Sequence, residues 1–437
     1  MLMGITSLAG LLLYLFAAKT SLDKAFYLLV LSSVFTTTSV FNIGNNSILL
    51  YQPLWLIVAV RTSWLYRKEK RAPKLIWLPF LAVCLFSIPL ALYNGDVRVT
   101  DIDGMHTNVK FSIQQFTQYA YLFIAVSTTW ITAYLLKLKI IGWKKVQKTI
   151  LLGFAFVITV AILQRVVPVE IMNQTIRNSC NTNYNFTMRD RLSGPFNEPS
   201  MLSLYLLPLM ACIVAKLVAN VAPKDRHLHL IVLLLVAIII CFSNQSSSAF
   251  LGFAVIMLLS CVAMYKKVRK ASSKVQILVA LAIAIGFCLL LSSGVLEEPL
   301  SAMISKFQGQ GESGSIRMDN LMMGVGVFLS HPILGVGWGT IRTESLLATW
   351  LAEIGLIGIM AFAVPLFTMM RAMRNESEEI SLPFIFYFVT YLVILFISVG
   401  EPYYLTSYFM AGMMQHVVTN QGEVLSWKSA CLDKEDN

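Results

Sequence analysis

Thirteen apolar runs separated by short polar segments set the pattern of this chain. They lie at roughly 3–18, 25–41, 48–65, 75–93, 113–136, 149–168, 200–219, 229–243, 249–265, 275–294, 345–370, 382–399 and 404–420. A helix that crosses hydrocarbon needs about 20 mostly apolar residues. The runs approach or reach that length and lack the in–out alternation of barrel strands, so the pattern predicts spanning helices. The first and last runs are short, which gives an expected count of 12 to 14 spans. The Ser-Asn-Gln-Ser-Ser-Ser stretch at 243–248 predicts a tight turn between antiparallel helices.

The polar segments give an orientation. Lys and Arg gather at 61–74, 137–148, 216–226 and 266–274, joined by Lys19, Lys24, Arg371, Arg374, Lys428 and Lys434. Thirteen spans put all of these on one side, which collects 25 of the 34 basic residues. Basic loops face the cytoplasm. The tail at 421–437 is therefore expected inside, the N-terminus outside, and the long loops 94–112, 169–200 and 295–344 outside. The expected architecture is an all-α integral membrane protein, one polytopic helical bundle over 1–437. Its two large outer loops are expected to hold interfacial helices.

Composition agrees. The chain is 57% hydrophobic and 13% charged, against about 25% charged in a soluble protein. The net charge of +11 follows from topology and attraction to anionic lipid, so no nucleic-acid partner is assigned. The seven cysteines show no metal spacing, and most lie inside apolar runs where Cys packs as a small hydrophobe. The first run lacks the basic flank of a signal peptide and reads as a retained span. No GxxxxGK[ST] occurs and the inner loops are short, which excludes a nucleotide-driven pump domain. Any chemistry faces outward.

Two outer stretches carry candidate chemistry. The first is Arg189-Asp190-Arg191-Leu192-Ser193-Gly194-Pro195-Phe196-Asn197-Glu198-Pro199-Ser200, which leads into a span. Ser200 is placed to cap that helix. Arg191 and Glu198 fall at the membrane mouth, either as a phosphate-gripping arginine with an acid or base, or as polar anchors of a helix end. Arginine is costly near hydrocarbon and matches phosphate bidentately, which favours the first.

The second stretch is 313–358. Residues 315–330 have apolar positions at helical spacing, with Arg317, Asp319 and Asn320 among the polar ones, and suit the interface plane. The turn after His331-Pro332 has glycine at 335, 337 and 339. Such backbone either exposes N–H groups to an anion or simply turns tightly; Arg317 and Arg342 nearby favour the anion. His331 more often caps or packs than catalyses. Glu353 sits roughly 12–14 Å into the following span, where an acid needs a partner such as Arg165, or acts on a hydroxyl. Asp101 and Asp103 form a short DxD, the kind of pair that can hold a divalent metal, though the motif is common by chance.

These residues carry a resemblance. HPILGVGWGTIRTESLLATWLAEIGLIG is similar to the hPhlGvG…LaEhGhhG pattern of the bacterial O-antigen polymerase and ligase superfamily (Wzy and WaaL types). RLSGPFNEPS resembles its Arg-x-x-Gly-x-Phe-x-Glu-Pro-Ser segment, and Arg317 matches the arginine heading its surface helix. The resemblance implies a GT-C-like glycosyltransferase of the bacterial inner membrane, independent of metal and cofactor. It implies undecaprenyl-pyrophosphate-linked glycans as donor and acceptor at the periplasmic face, with a flippase and a chain-length regulator as partners. Arg189, Arg191, Arg317 and Arg342 are then expected to hold pyrophosphate. Glu344 or Glu198 is expected to act as base, with Glu353, His331, Gly335 and Gly337 in support. Ligases carry His-Asn where this chain has Glu344-Ser345, nine residues before Glu353. That departure, with the Glu-Pro-Ser wording at 198–200, favours a polymerase over a ligase; a transporter without chemistry is the reading from another class.

Overall fold

The computed structural model describes residues 2–43, 46–68, 73–100, 106–180, 191–219, 224–243, 246–268, 312–398 and 400–419. It is an all-α polytopic bundle. The helices are α1 (Leu2–Lys19), α2 (Leu22–Ser32), α3 (Tyr51–Lys68), α4 (Leu78–Ser87), α5 (Ile113–Lys137), α6 (Trp143–Leu163) and α7 (Val169–Thr175). There follow α8 (Pro199–Ala219), α9 (Lys224–Ser243), α10 (Ser247–Val268), α11 (Glu312–Ser330), α12 (Leu346–Met373), α13 (Glu378–Ser398) and α14 (Leu405–Thr419). Among the described residues, six helices are long and apolar enough to cross a membrane: α5, α6, α8, most of α10, α12 and all but the end of α13. Shorter apolar helices fill the places of several remaining runs. The run at 275–294 and the tail at 421–437 lie outside the described residues.

One expected span is corrected. The run at 25–41 is helical only to Ser32, and the chain then enters a hairpin of β1 (Ser39–Ile43) and β2 (Asn46–Leu49). An apolar run need not be helical when its β-branched and turn residues pair with each other instead. A second small hairpin, β3 (Arg98–Thr100) and β4 (His106–Asn108), lies within the loop 94–112.

The two ends of the bundle differ in character. At one end Arg61 donates to the carbonyls of Ala17 and Thr20, Lys145 faces Asp23, and Gln415 donates to the Lys74 carbonyl. This is the end of the basic loops. At the other end both hairpins, α7, α11 and the 191–200 loop are tied together. Thr37 donates to the carbonyls of Ile176 and Pro195, and Thr100 donates to Asn320. Between the ends the core is aromatic and aliphatic, with Phe196 against Tyr205 and Tyr404, and Trp350 against Phe80 and Phe362.

Candidate functional site

The 191–200 loop is built on a buried polar core. Gln164, just past α6, accepts through its side-chain oxygen from the amides of Ser193 (3.0 Å) and Gly194 (2.9 Å), and from Arg177 (3.0 Å). Its side-chain amide donates to the Arg191 carbonyl at 3.2 Å. Arg177 is 2% exposed and its Nε donates to the Gly194 carbonyl at 2.9 Å. Burial lowers its pKa to about 10, so it remains a cation here. Gln164 and Arg177 thus fix the loop backbone. Helix α8 begins at Pro199, and Glu198 supplies the carbonyl that accepts from Met201 and Leu202. Ser200 therefore lies inside the helix rather than at its cap, and its hydroxyl donates to Glu198 Oε2 at 3.0 Å.

The glycine turn takes a form different from the expected anion nest. Gly335, Gly337 and Gly339 have φ of +66°, +120° and +72°. Their neighbourhood is satisfied from within. Gly335 donates to the His331 carbonyl, Val336 to Ala352 (2.9 Å), Gly337 to Glu353 (2.9 Å) and Trp338 to the Ser87 hydroxyl (3.2 Å). The amides of Gly339, Thr340 and Ile341 point at the Glu353 carboxylate. The turn does gather N–H groups around an anion, but that anion is the chain's own Glu353. This also corrects the expectation of an arginine partner for Glu353, which is 3% exposed and held by backbone amides.

The same contact explains the second half of the motif. Helix α12 breaks at Gly355, whose φ of +59° and ψ of −163° are not helical. The break frees two carbonyls and two amides. Ala352 and Glu353 accept from Val336 and Gly337, while Leu356 and Ile357 donate to Pro332 and Ile333. Irregular backbone at membrane depth persists only when protein satisfies it, and here two irregular segments satisfy each other. Both Gly335 and Gly355 sit where a Cβ would collide with the opposite backbone. His331 is at the head of this clasp, its ring near the Ser330 hydroxyl at 3.0 Å.

The charged groups converge around the clasp's outer side. Loss of water pushes the Arg191 guanidinium below its ordinary pKa, Arg317 pushes it further down, and Glu198 opposes both. Residues from two distant loops therefore share one electrostatic neighbourhood. Arg342 follows the turn, its amide donating to the Thr100 carbonyl at 2.9 Å. Its guanidinium pairs with Glu401 Oε1 at 3.0 Å. Glu401, in the link between α13 and α14, is in turn close enough to Glu198 to feel its charge. Glu344 stands just before the Ser345 cap of α12, with one carboxylate oxygen buried and without a hydrogen-bond partner. The Ser345 hydroxyl donates to the Phe396 carbonyl, which docks this cap beside the Glu401 link.

Of the expected site residues, Arg191, Arg317, Arg342, Glu198 and Glu344 lie at the hairpin end of the bundle, and all but Glu344 join in the charge network. Arg189 and the Asp101/Asp103 pair lie outside the described residues. Among the described residues no three His, Cys, Asp or Glu side chains gather as a metal site. Sequence reasoning missed Gln164, Arg177 and Glu401. Glu401 had one available signal, an acid followed by Pro402 in a short outer link between two apolar runs. A partly desolvated Arg191 within range of the Arg317 charge forms a place where a polyanion is stabilising.

Comparison with known proteins points the same way. Residues 231–363 match the family model Wzy_C, described as O-Antigen ligase. The match spans 133 of the 437 residues and includes α11, the glycine turn and the Glu353 half of α12. It supports the O-antigen polymerase/ligase superfamily and does not separate polymerase from ligase. No curated protein matches the chain.

Proposed function

We propose that this protein is a polymerase of undecaprenyl-pyrophosphate-linked oligosaccharide repeat units, working at the periplasmic face of the bacterial inner membrane. The observation that carries the reading is that Arg191 of the 191–200 loop and Arg317 of α11, far apart in sequence, lie within range of each other's charge. A lipid pyrophosphate is a good leaving group once its charge is neutralised, and fixed cations do this without reorganising. The donor brings its own activation, so neither nucleotide nor metal is required outside the cell. A carboxylate at the same mouth accepts the proton of the attacking sugar hydroxyl. Glu344, where ligases carry histidine, favours polymerase over transfer to lipid A–core. A flippase delivering the units and a chain-length regulator are the expected partners.

The test is a strain lacking the gene, with lipopolysaccharide resolved on a gel. Core bearing a single repeat unit supports polymerisation. Bare core with lipid-linked polymer outside means a ligase, and units trapped on the inner face mean a transporter. Complementation with Arg191→Ala or Arg317→Ala should fail although both variants insert. Full-length polymer from both would remove the assigned site. Loss of turnover on chelation of the purified enzyme would refute metal independence.

A further inference from the structure

We infer that Glu401 is the group that takes the proton from the attacking hydroxyl, and that Arg342 restrains it until the lipid pyrophosphate arrives. The inference rests on the glycosyl-transfer reading above and names the base within it.

Four carboxylates surround the glycine turn and its mouth, and each is held differently. Glu353 is buried and already accepts from the amides of Gly339, Thr340 and Ile341. Glu198 receives the Ser200 hydroxyl on Oε2. Glu344 has its Oε2 buried without a hydrogen-bond partner. Glu401 has 37% of its side chain exposed, and its Oε1 is held by Arg342, which is itself 48% exposed. A base must reach the proton it removes, within about 3 Å or through one water. Glu401 is partly exposed and is the carboxylate of the four that pairs with an arginine, and it feels Glu198, whose charge also acts on Arg191.

The pairing with Arg342 supplies the timing. While Arg342 donates to Glu401, one carboxylate oxygen is masked and its basicity is held down. A pyrophosphate seated by Arg191 and Arg317 carries more charge than one carboxylate, and it competes for Arg342. Glu401 is then released beside Glu198, and like charge raises its proton affinity. In the step that follows, the acceptor hydroxyl oxygen bonds to the anomeric carbon of the donor. The bond from that carbon to the pyrophosphate oxygen breaks, and its electron pair leaves with the lipid pyrophosphate. The hydroxyl proton passes to a Glu401 carboxylate oxygen.

The groups facing Glu401 are Arg342 after the turn, Glu198 before α8, Tyr51 at the head of α3, and Tyr403 and Tyr404 before α14. Loss of water pushes the Glu401 carboxyl above the usual carboxylate range, Arg342 pulls it down and Glu198 pushes it up again. The deprotonated form is the working form, so turnover falls as pH drops through that raised value.

The experiment uses the purified full-length protein, with a lipid-linked repeat unit as substrate and undecaprenyl pyrophosphate as the binding probe. Glu401→Gln should lower turnover about 100-fold or more while the probe still binds. Glu401→Asp should recover part of the rate with a displaced acid limb in the pH profile. Arg342→Ala should weaken probe binding more than it lowers turnover at saturation. Wild-type turnover in Glu401→Gln overturns the assignment. So does equal loss of probe binding in Glu401→Gln and Arg342→Ala, which marks a merely structural ion pair. If the wild type makes no polymer but transfers glycan to lipid A–core, the polymerase reading fails alone. The same variants then test Glu401 in that reaction, whose acceptor is again a hydroxyl. Absence of transfer to any hydroxyl overturns both.

Discussion

Gly335→Ala is the sharpest test of the clasp between the turn and the broken helix. A Cβ at Gly335 would lie 2.5 Å from the carbonyl oxygens of both Ala352 and Glu353. Those oxygens are backbone and are the acceptors for Val336 and Gly337. The substituted chain must separate the two segments and lose both hydrogen bonds, at about 1 kcal/mol each. The left-handed φ of +66° adds about 1 kcal/mol for a non-glycine residue. The expected loss is on the order of 3 kcal/mol, or a melting temperature lower by roughly 5 °C. Gly326 provides the control. It lies on the exposed face of α11 with nothing within 4 Å of an added Cβ, so Gly326→Ala should be neutral, or stabilising by roughly 0.5–1 kcal/mol through helix propensity. Thermal unfolding of the purified protein in one detergent compares the pair. Equal melting temperatures for the two variants would refute the clasp.

Three other outcomes are expected. Arg191→Ala and Arg317→Ala should each weaken binding of undecaprenyl pyrophosphate roughly 10- to 100-fold, as for one lost charge-assisted contact, read by titration of the purified protein. Glu353→Gln replaces an acceptor-only group with one whose NH₂ faces backbone N–H donors. It should destabilise by roughly 1–3 kcal/mol, and a melting temperature unchanged from wild type would show that the carboxylate is dispensable to the turn. Gln164→Leu removes the acceptor shared by Ser193, Gly194 and Arg177. Amide hydrogen exchange should quicken across 191–198 while the spans stay protected.

The sequence announced the bundle because burial in lipid demands long apolar runs, and nothing soluble imitates thirteen of them. It singled out Arg191 and Arg317 because arginine beside hydrocarbon is costly enough to be conspicuous. The hairpin at 39–49 was harder. Its Gly44-Asn45 pair is a two-residue turn signal, but the apolar residues on either side read equally well as a span. The glycine turn was legible as a gathering of N–H groups, yet its ligand was not. That ligand, Glu353, lies 14 residues beyond Gly339, in the next helix, where no local pattern links it to the turn. Gln164, Arg177 and Glu401 are single polar residues without periodicity, and their meaning arises from partners 13 to 59 residues away.

The clasp also sets an order of assembly. Its paired residues are separated by 16 to 24 positions in the chain, from Val336–Ala352 to Pro332–Leu356 and Ile333–Ile357. It can close as soon as this half of α12 leaves the exit tunnel, before α13 has done so. The Arg342–Glu401 pair spans 59 positions and waits for the following link. A nascent chain thus acquires a rigid turn first and a charged mouth later. Ribosome-bound chains halted once Ile357 has cleared the exit tunnel should already show the slow-exchanging amides of Val336 and Gly337.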